Sequence, residues 1–265
     1  MKAKHFSRVR VAFLVFFSLF ILVPLAYTLV NSFASGAAYG LWPETWSLNG
    51  WYEVLIRRPH YLVKFWNSLL LSAAIVLGQT LISCLAGYGF SKFRFPGKEA
   101  VFFLVIILMM MPYQVTLVSN FIVIDALGLM GTWAALILPA IFSPFGVFLL
   151  RQVFDTCPDE ILDAARIDGA GELRVLFQIL VPRSRSGVVS LVILTFIDAW
   201  NMVEQPIVYL DDPYDYPLSI FLSQMSGQDV GVLCTCGILA AIPVLLLFFY
   251  YDEDLADGIS MSQLH

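Results

Sequence analysis

A chain of 265 residues that is 59% hydrophobic and only 13% charged falls well short of the charge a soluble domain carries, about 25%, and so belongs in a membrane. The net charge of −5 identifies no partner, because where charges lie matters more than their sum, and nothing in the chain points to nucleic acid. The four cysteines form no disulfide framework: Cys84, Cys234 and Cys236 sit in apolar runs, Cys157 opens a polar stretch, and the Cys234-Thr235-Cys236 pair lacks ligands at metal-site spacing.

Six apolar runs are long enough to cross about 30 Å of hydrocarbon at about 1.5 Å per residue. They lie near 10–32, 65–90, 100–118, 130–150, 186–208 and 230–251. Lys2, Lys4, Arg8 and Arg10 precede the first run, but its uncharged core from Val11 to Val30 is too long for a signal peptide and predicts an uncleaved anchor. Pro112 interrupts the third run, and Gln114, Ser119 and Asn120 make its outer half polar. The fold class expected is an all-α integral membrane protein: one transmembrane domain over 1–265, with six spanning helices and a cytoplasmic hairpin between the fourth and fifth.

Lysine and arginine orient those spans. With a cytoplasmic amino terminus, that side holds Lys2, Lys4, Arg8, Arg10, Lys92, Arg94, Lys98, Arg151, Arg166, Arg174, Arg183 and Arg185, and the outside only Arg57, Arg58 and Lys64. This is the positive-inside bias, and it places both termini and the 151–185 segment in the cytoplasm. Asp211, Asp212, Asp215 and Asp229 then lie outside, as do Trp42, Trp46 and Trp51, which suit interface anchors.

The 151–185 segment is charged and helix-forming yet lies between two apolar runs, so it must sit outside lipid. Thr156 is placed to cap a helix whose first turn holds Pro158, Asp159 and Glu160, acidic residues suited to a positive helix end. Ile161, Leu162 and Ala165 give that helix an apolar face, with Asp163 and Arg166 spaced i, i+3 elsewhere on it. Gly169 is placed to end it in the left-handed conformation. Leu173, Leu176, Phe177 and Leu180 begin a second amphipathic helix, which Pro182 is expected to stop. The mixture of acidic and basic residues favours a protein partner over a purely lipid-binding surface.

Asp163-Ala164-Ala165, three residues, Gly169, nine residues and Ile179-Leu180-Val181-Pro182 resemble the EAA motif, E-A-A-x3-G-x9-I-x-L-P, with Asp163 for Glu and Val181 for Leu. That motif marks the permease subunits of ATP-binding-cassette importers. AGYGFSKFRFPGK (Ala86 to Lys98), MMMPYQV (Met109 to Val115), LGLMGTWAALILP (Leu127 to Pro139) and TFIDAWN (Thr195 to Asn201) are similar to stretches of carbohydrate-importer permeases. The whole resembles the second, smaller permease of a maltose-type system.

The resemblance implies a coupling helix seated in a groove of an ATPase subunit, carried by Asp163, Ala164, Ala165 and Gly169, with Glu160, Asp168 and Pro182 flanking them. It implies a second permease, two ATP-binding subunits and an extracellular or periplasmic solute-binding protein as partners, in a bacterial or archaeal cell (inner) membrane, importing a sugar or oligosaccharide. The chain has no G-x-x-x-x-G-K-[ST] loop, so ATP and Mg belong to the partners and no cofactor is expected here. His5, His60 and His265 belong to no nucleophile–base set, and the chain is read as a transport subunit rather than an enzyme. The family's carboxyl end is commonly basic; here it reads YYDEDLADGISMSQLH, which puts its usual contact with the ATPase in doubt.

The fifth run carries Asp198, Trp200, Asn201, Glu204 and Gln205. If it is one helix, Asn201 and Gln205 share a face flanked by Asp198 and Trp200, a polar stripe suited to a hydroxyl-rich ligand. The alternative is that these side chains tie the span to neighbouring helices or to a sister subunit, and packing is the better reading for Trp200. Two further functions stand beside sugar import: an importer of the same class for polyamine or phosphate, and a secondary transporter relaying ions through Asp198 and Glu204. The last expects internal repeats, which the sequence does not display, and leaves the hairpin without a role.

Overall fold

The computed structural model describes residues 2–35, 42, 43, 45–57, 60–225 and 229–252, with side chains described from Val11 onward, Ala12 excepted. The acidic tail beyond Asp252, Arg58 and the basic side chains ahead of Val11 lie outside that description. Among the described residues the chain is helical, with an isolated bridge between Ala34 and Trp46 in place of strands.

The helices that matter are α1 (Lys2–Asn31), α2 (His60–Lys92), α3 (Lys98–Met110), α4 (Tyr113–Ala126), α5 (Ala134–Ile141) and α6 (Pro144–Asp155). They are followed by α7 (Asp159–Ile167), α8 (Glu172–Arg183), α9 (Arg185–Trp200), α10 (Glu204–Tyr209), α11 (Leu218–Ser223) and α12 (Val230–Tyr250). Four stretches are long and apolar enough to cross a membrane: Phe13–Asn31, His60–Lys92, Ala134–Asp155 and Val230–Tyr250. Two bent pairs, α3 with α4 at 106° and α8 with α9 at 86°, qualify only when each pair is taken together, giving four to six candidate spans.

The described residues form two compact units. The first combines Met1–Val63 with Phe221–Ile242. Here Thr235 Oγ1 donates to the Gly231 carbonyl at 2.7 Å, and Tyr61 donates its hydroxyl to the Cys236 carbonyl at 3.0 Å. Phe13, Phe16, Leu19 and Phe20 of α1 are all exposed, as expected of a helix facing lipid or another subunit rather than its own chain.

The second unit combines Lys64–Ile220 with Pro243–His265 and contains two apolar cores. One gathers Leu71, Ile75, Ile124, Leu136, Ala199 and Tyr209; the other gathers Cys84, Leu150, Phe154, Leu162, Leu176 and Leu180. On α2, Ser68, Ser72, Gln79 and Ser83 are buried on one face. A Cβ on Gly146 of α6 would stand 2.2 Å from Ser83 Oγ, and one on Gly87 of α2 would stand 3.1 Å from the Arg151 backbone nitrogen. Small residues let these two helices approach closely, the usual means of packing where lipid supplies no hydrophobic drive.

At the third run the structure breaks where Pro112 is expected to interrupt it, and at the fifth it departs from the sequence expectation. The third run does not continue as a helix to 118: Met111 is extended (ψ 128) ahead of Pro112, and α4 departs at 106°. A residue before proline is pushed out of the helical region, so the break follows from the sequence locally. The fifth run does not continue to 208: α9 ends at Trp200, and α10 is a separate short helix. The fourth run continues further than expected, through Asp155, so the hairpin proper begins after it.

Candidate functional site

Pro158 (φ −60, ψ 136) starts α7, with Asp159 and Glu160 in its first turn at the positive end of the helix dipole. The expected Thr156 cap is not made. Thr156 is the C-cap residue of α6, and its Oγ1 donates back to the Val153 carbonyl at 2.7 Å. Leu162 is completely buried, and Ala165 packs half-buried on the same core. At the far end the Gly169 N–H donates to the Arg166 carbonyl and the Ala170 N–H to the Ala165 carbonyl, both at 3.0 Å. With Gly169 at φ +86 this is a Schellman ending, and the expectation for Gly169 holds.

The second arm differs from expectation in phase. Leu176 to Leu180 form a π turn, and the buried residues are Val175, Leu176 and Leu180, leaving Leu173 and Phe177 exposed. The wider turn rotates the apolar face relative to a 3.6-residue repeat. It lies just ahead of Pro182, which has no N–H to give and whose ring crowds the preceding turn. Pro182 itself is exposed and does not stop the helix; the break comes at Ser184 (φ −101, ψ 26).

The hairpin therefore presents Glu160, Asp163, Ala164, Asp168 and the Gly169 turn outward while Leu162 and Ala165 face the base. Ile167, 86% exposed, and Leu173, 65% exposed, stand on either side of the turn. Sequence reasoning missed this apolar pair as part of the surface. The signal was there: two large aliphatic residues flanking a Gly-Ala-Gly turn that the helix periodicity does not bury. Asp163 accepts from Arg166 Nη1 at 2.7 Å. Lys92 donates to Asp159 Oδ1 at 2.7 Å, and this hydrogen bond holds the Asp159 carboxyl below the usual carboxylate range. Arg166 also reaches Glu172, with Nε donating to Oε1 at 2.9 Å.

The path candidates do not form one stripe. Asp198 is exposed on α9, and Trp200 is buried, its ring 5.5 Å from that of Phe196 and 5.6 Å from that of Phe65, consistent with packing. Asn201 is the C-cap of α9 and donates Nδ2 to the Ile197 carbonyl at 2.8 Å. Glu204 and Gln205 open α10, so the shared face of Asn201 and Gln205 on a continuous helix is not observed. The two breaks instead bring α4 and α10 together: the Tyr113 and Tyr209 hydroxyls lie 3.3 Å apart, with Gln205 beside Tyr113. Irregular backbone at membrane depth is tolerated only inside protein or along a water-filled cavity.

Residues 79–252 match the family described as binding-protein-dependent transport system inner membrane component. The chain is 30% identical over 223 residues to the arabinooligosaccharides transport system permease protein AraQ of Halalkalibacterium halodurans, covering 83% of this chain and 80% of that one. It is 31% identical over 198 residues to the lactose transport system permease protein LacG of Rhizobium radiobacter, covering 74% and 72%. Among solved structures, a chain of a bacterial ABC transporter involved in import of the acidic polysaccharide alginate superimposes with a TM-score of 0.84 at 19% identity, over 94% of this chain and 96% of that one. The matched segment runs from the middle of α2 to the end of α12 and takes in the whole hairpin, and the chain belongs to the family of binding-protein-dependent transport system inner membrane components.

Proposed function

We propose that this chain is the membrane-spanning permease subunit of an ATP-driven importer for a sugar or oligosaccharide, forming half of the translocation path. The observation that carries this reading is the hairpin: a Gly169 turn that exposes Asp163, Ala164 and Ile167 on a base locked by fully buried Leu162. Such a surface suits a groove in an ATP-binding partner. In this reading α3 with α4 form one span and α9 with the following α10 another, giving six in a single permease domain, with α8 left in the cytoplasmic hairpin and both termini cytoplasmic in a prokaryotic cell membrane. ATP and Mg are held by two partner subunits. A second permease completes the path, and a solute-binding protein delivers the sugar from outside. Alternating access then follows from a bistable packing of two permeases, biased through the hairpin.

Sugar is preferred as cargo because the relatives named above carry arabinooligosaccharides and lactose. The test is reconstitution of the chain with its neighbouring subunits in liposomes, with uptake of arabinooligosaccharides, lactose and alginate oligosaccharides compared against spermidine and phosphate. ATP-dependent uptake of one of the saccharides supports the reading. Uptake of spermidine or phosphate alone would reassign the cargo, and uptake without any ATP-binding partner would remove the importer class altogether.

The polar groups at the two breaks supply the path. Asn201→Ala removes an amide at the mouth of the α9–α10 break and is expected to lower maximal uptake about fivefold, the worth of one hydrogen bond of about 1 kcal/mol, with the complex assembled in normal yield. Unchanged uptake across the saccharide panel would reduce Asn201 to a helix cap.

A further inference from the structure

The hairpin is fastened to the inner end of α2 at two separate points. Lys92, whose side chain is only 6% exposed, donates Nζ to the Cys157 carbonyl at 2.6 Å as well as to Asp159 at 2.7 Å, gripping the start of α7. One turn earlier on the same helix face is Tyr88, itself buried. Its hydroxyl donates to Glu172 Oε2 and accepts from Arg166 Nη2 at 3.1 Å, while Arg166 bonds Glu172 and Asp163 in turn. Tyr88 therefore joins the end of α7 to the start of α8. Beneath these bonds Cys84 and Tyr88 share an apolar core with Leu162, Val175 and Leu176.

Ion pairs with an exposed partner add little stability, and Asp159 is 73% exposed. What two separated attachments supply is orientation: one allows the hairpin to swivel, two do not. The guanidinium fork of Arg166, meeting two carboxylates and a hydroxyl at once, has the planar geometry that makes such a joint rigid.

We propose that Tyr88 and Lys92 are positioning residues that clamp the hairpin to the inner end of the second span, so that the two shift as one body when the ATP-binding partners close. This rests on the coupling reading given above, and it goes further by naming the membrane helix that receives the motion. The competing arrangement is a hairpin that swings on its own links at Thr156 and Ser184, leaving α2 in place.

Pulsed electron paramagnetic resonance on the assembled complex separates the two. Gly89 of α2 has open space at its Cβ position and Gln178 of α8 is exposed, so Gly89→Cys and Gln178→Cys accept spin labels, while the native cysteines are buried. In the otherwise native chain the label separation is expected to be the same without nucleotide and after trapping with ATP and vanadate. Adding Tyr88→Phe and Lys92→Met should make it shift or broaden on trapping, with ATP hydrolysis retained. Tyr88→Phe alone keeps the ring, which packs edge-on to Phe93 at 5.2 Å, and serves if the double variant fails to assemble. A separation that changes on trapping in the native background, or one that stays fixed after the clamp is removed, overturns the proposal. Gly169→Asp in the same complex keeps the readings apart: normal coupling in that variant removes the docking reading on which the clamp's role rests, whereas lost coupling with an unchanged label separation supports both.

Discussion

Gly169→Asp is expected to abolish ATP-coupled uptake while the subunit still inserts and is recovered in normal amount. The isolated subunit gives little reason for so large an effect. A Cβ at residue 169 meets nothing within 4 Å, and the strain of placing a side-chain-bearing residue at φ +86 is about 1–2 kcal/mol, less for aspartate, which tolerates this region. The damage is predicted to come from what seats on the turn: a carboxylate added next to Asp168 enlarges the hairpin tip and doubles its charge at the closest point of approach. Gly169→Ala is the control. It carries the backbone strain without the charge, and should lower uptake far less. ATP hydrolysis and uptake are measured together in reconstituted complexes; normal coupling in Gly169→Asp would show that nothing docks at this turn.

Leu162→Ala is expected to loosen the hairpin from its base. Leu162 is fully buried among Phe154, Cys157, Val175 and Leu176, and truncating a leucine in such a place costs about 2–5 kcal/mol. Because the hairpin is a small appendage, that loss should appear locally. Trypsin should cut at Arg166 and Arg174 faster than in the native subunit, and recovery of ATP-binding subunits with the chain should fall, while the spans stay protected. Leu173→Ala offers the contrast, since Leu173 is 65% exposed. It should leave the trypsin pattern unchanged and weaken only the association. Equal protease resistance in Leu162→Ala and the native chain would mean that the hairpin does not depend on this core.

Much of the molecule is legible in the sequence because apolar length and glycine chemistry are local properties. The Gly169 ending, the acidic start of α7 and the inward face through Leu162 follow from residues within two turns of one another. The break at Pro112 is equally local. The end of α9 was hidden because hydropathy runs on through Met202 and Val203, masking a cap at Asn201. The clue lay further on, where Glu204 and Pro206 are an acidic residue and a proline in one turn, the pattern of a helix beginning. The phase of α8 was missed for a different reason: Pro182 marks a disturbed turn ahead of it, but the face that turn buries packs against α6 and α2, which no short window contains. The clamp at Tyr88 and Lys92 was out of reach altogether, since its partners lie 65 or more residues away.

The corner at Ser184 has a mechanical consequence. Two stiff arms meeting at 86° behave as a bell crank, in which a push along one arm becomes rotation of the other about the elbow. The turn that closes the elbow contains the stiff ring of Pro182, and Ser184 is buried, its N–H donating to the Leu180 carbonyl at 2.9 Å and the Val181 carbonyl at 3.2 Å. Such an elbow bends little. Under the coupling role proposed above, movement of α8 would be converted into tilt of α9 and delivered to Asn201 and the break at its far end.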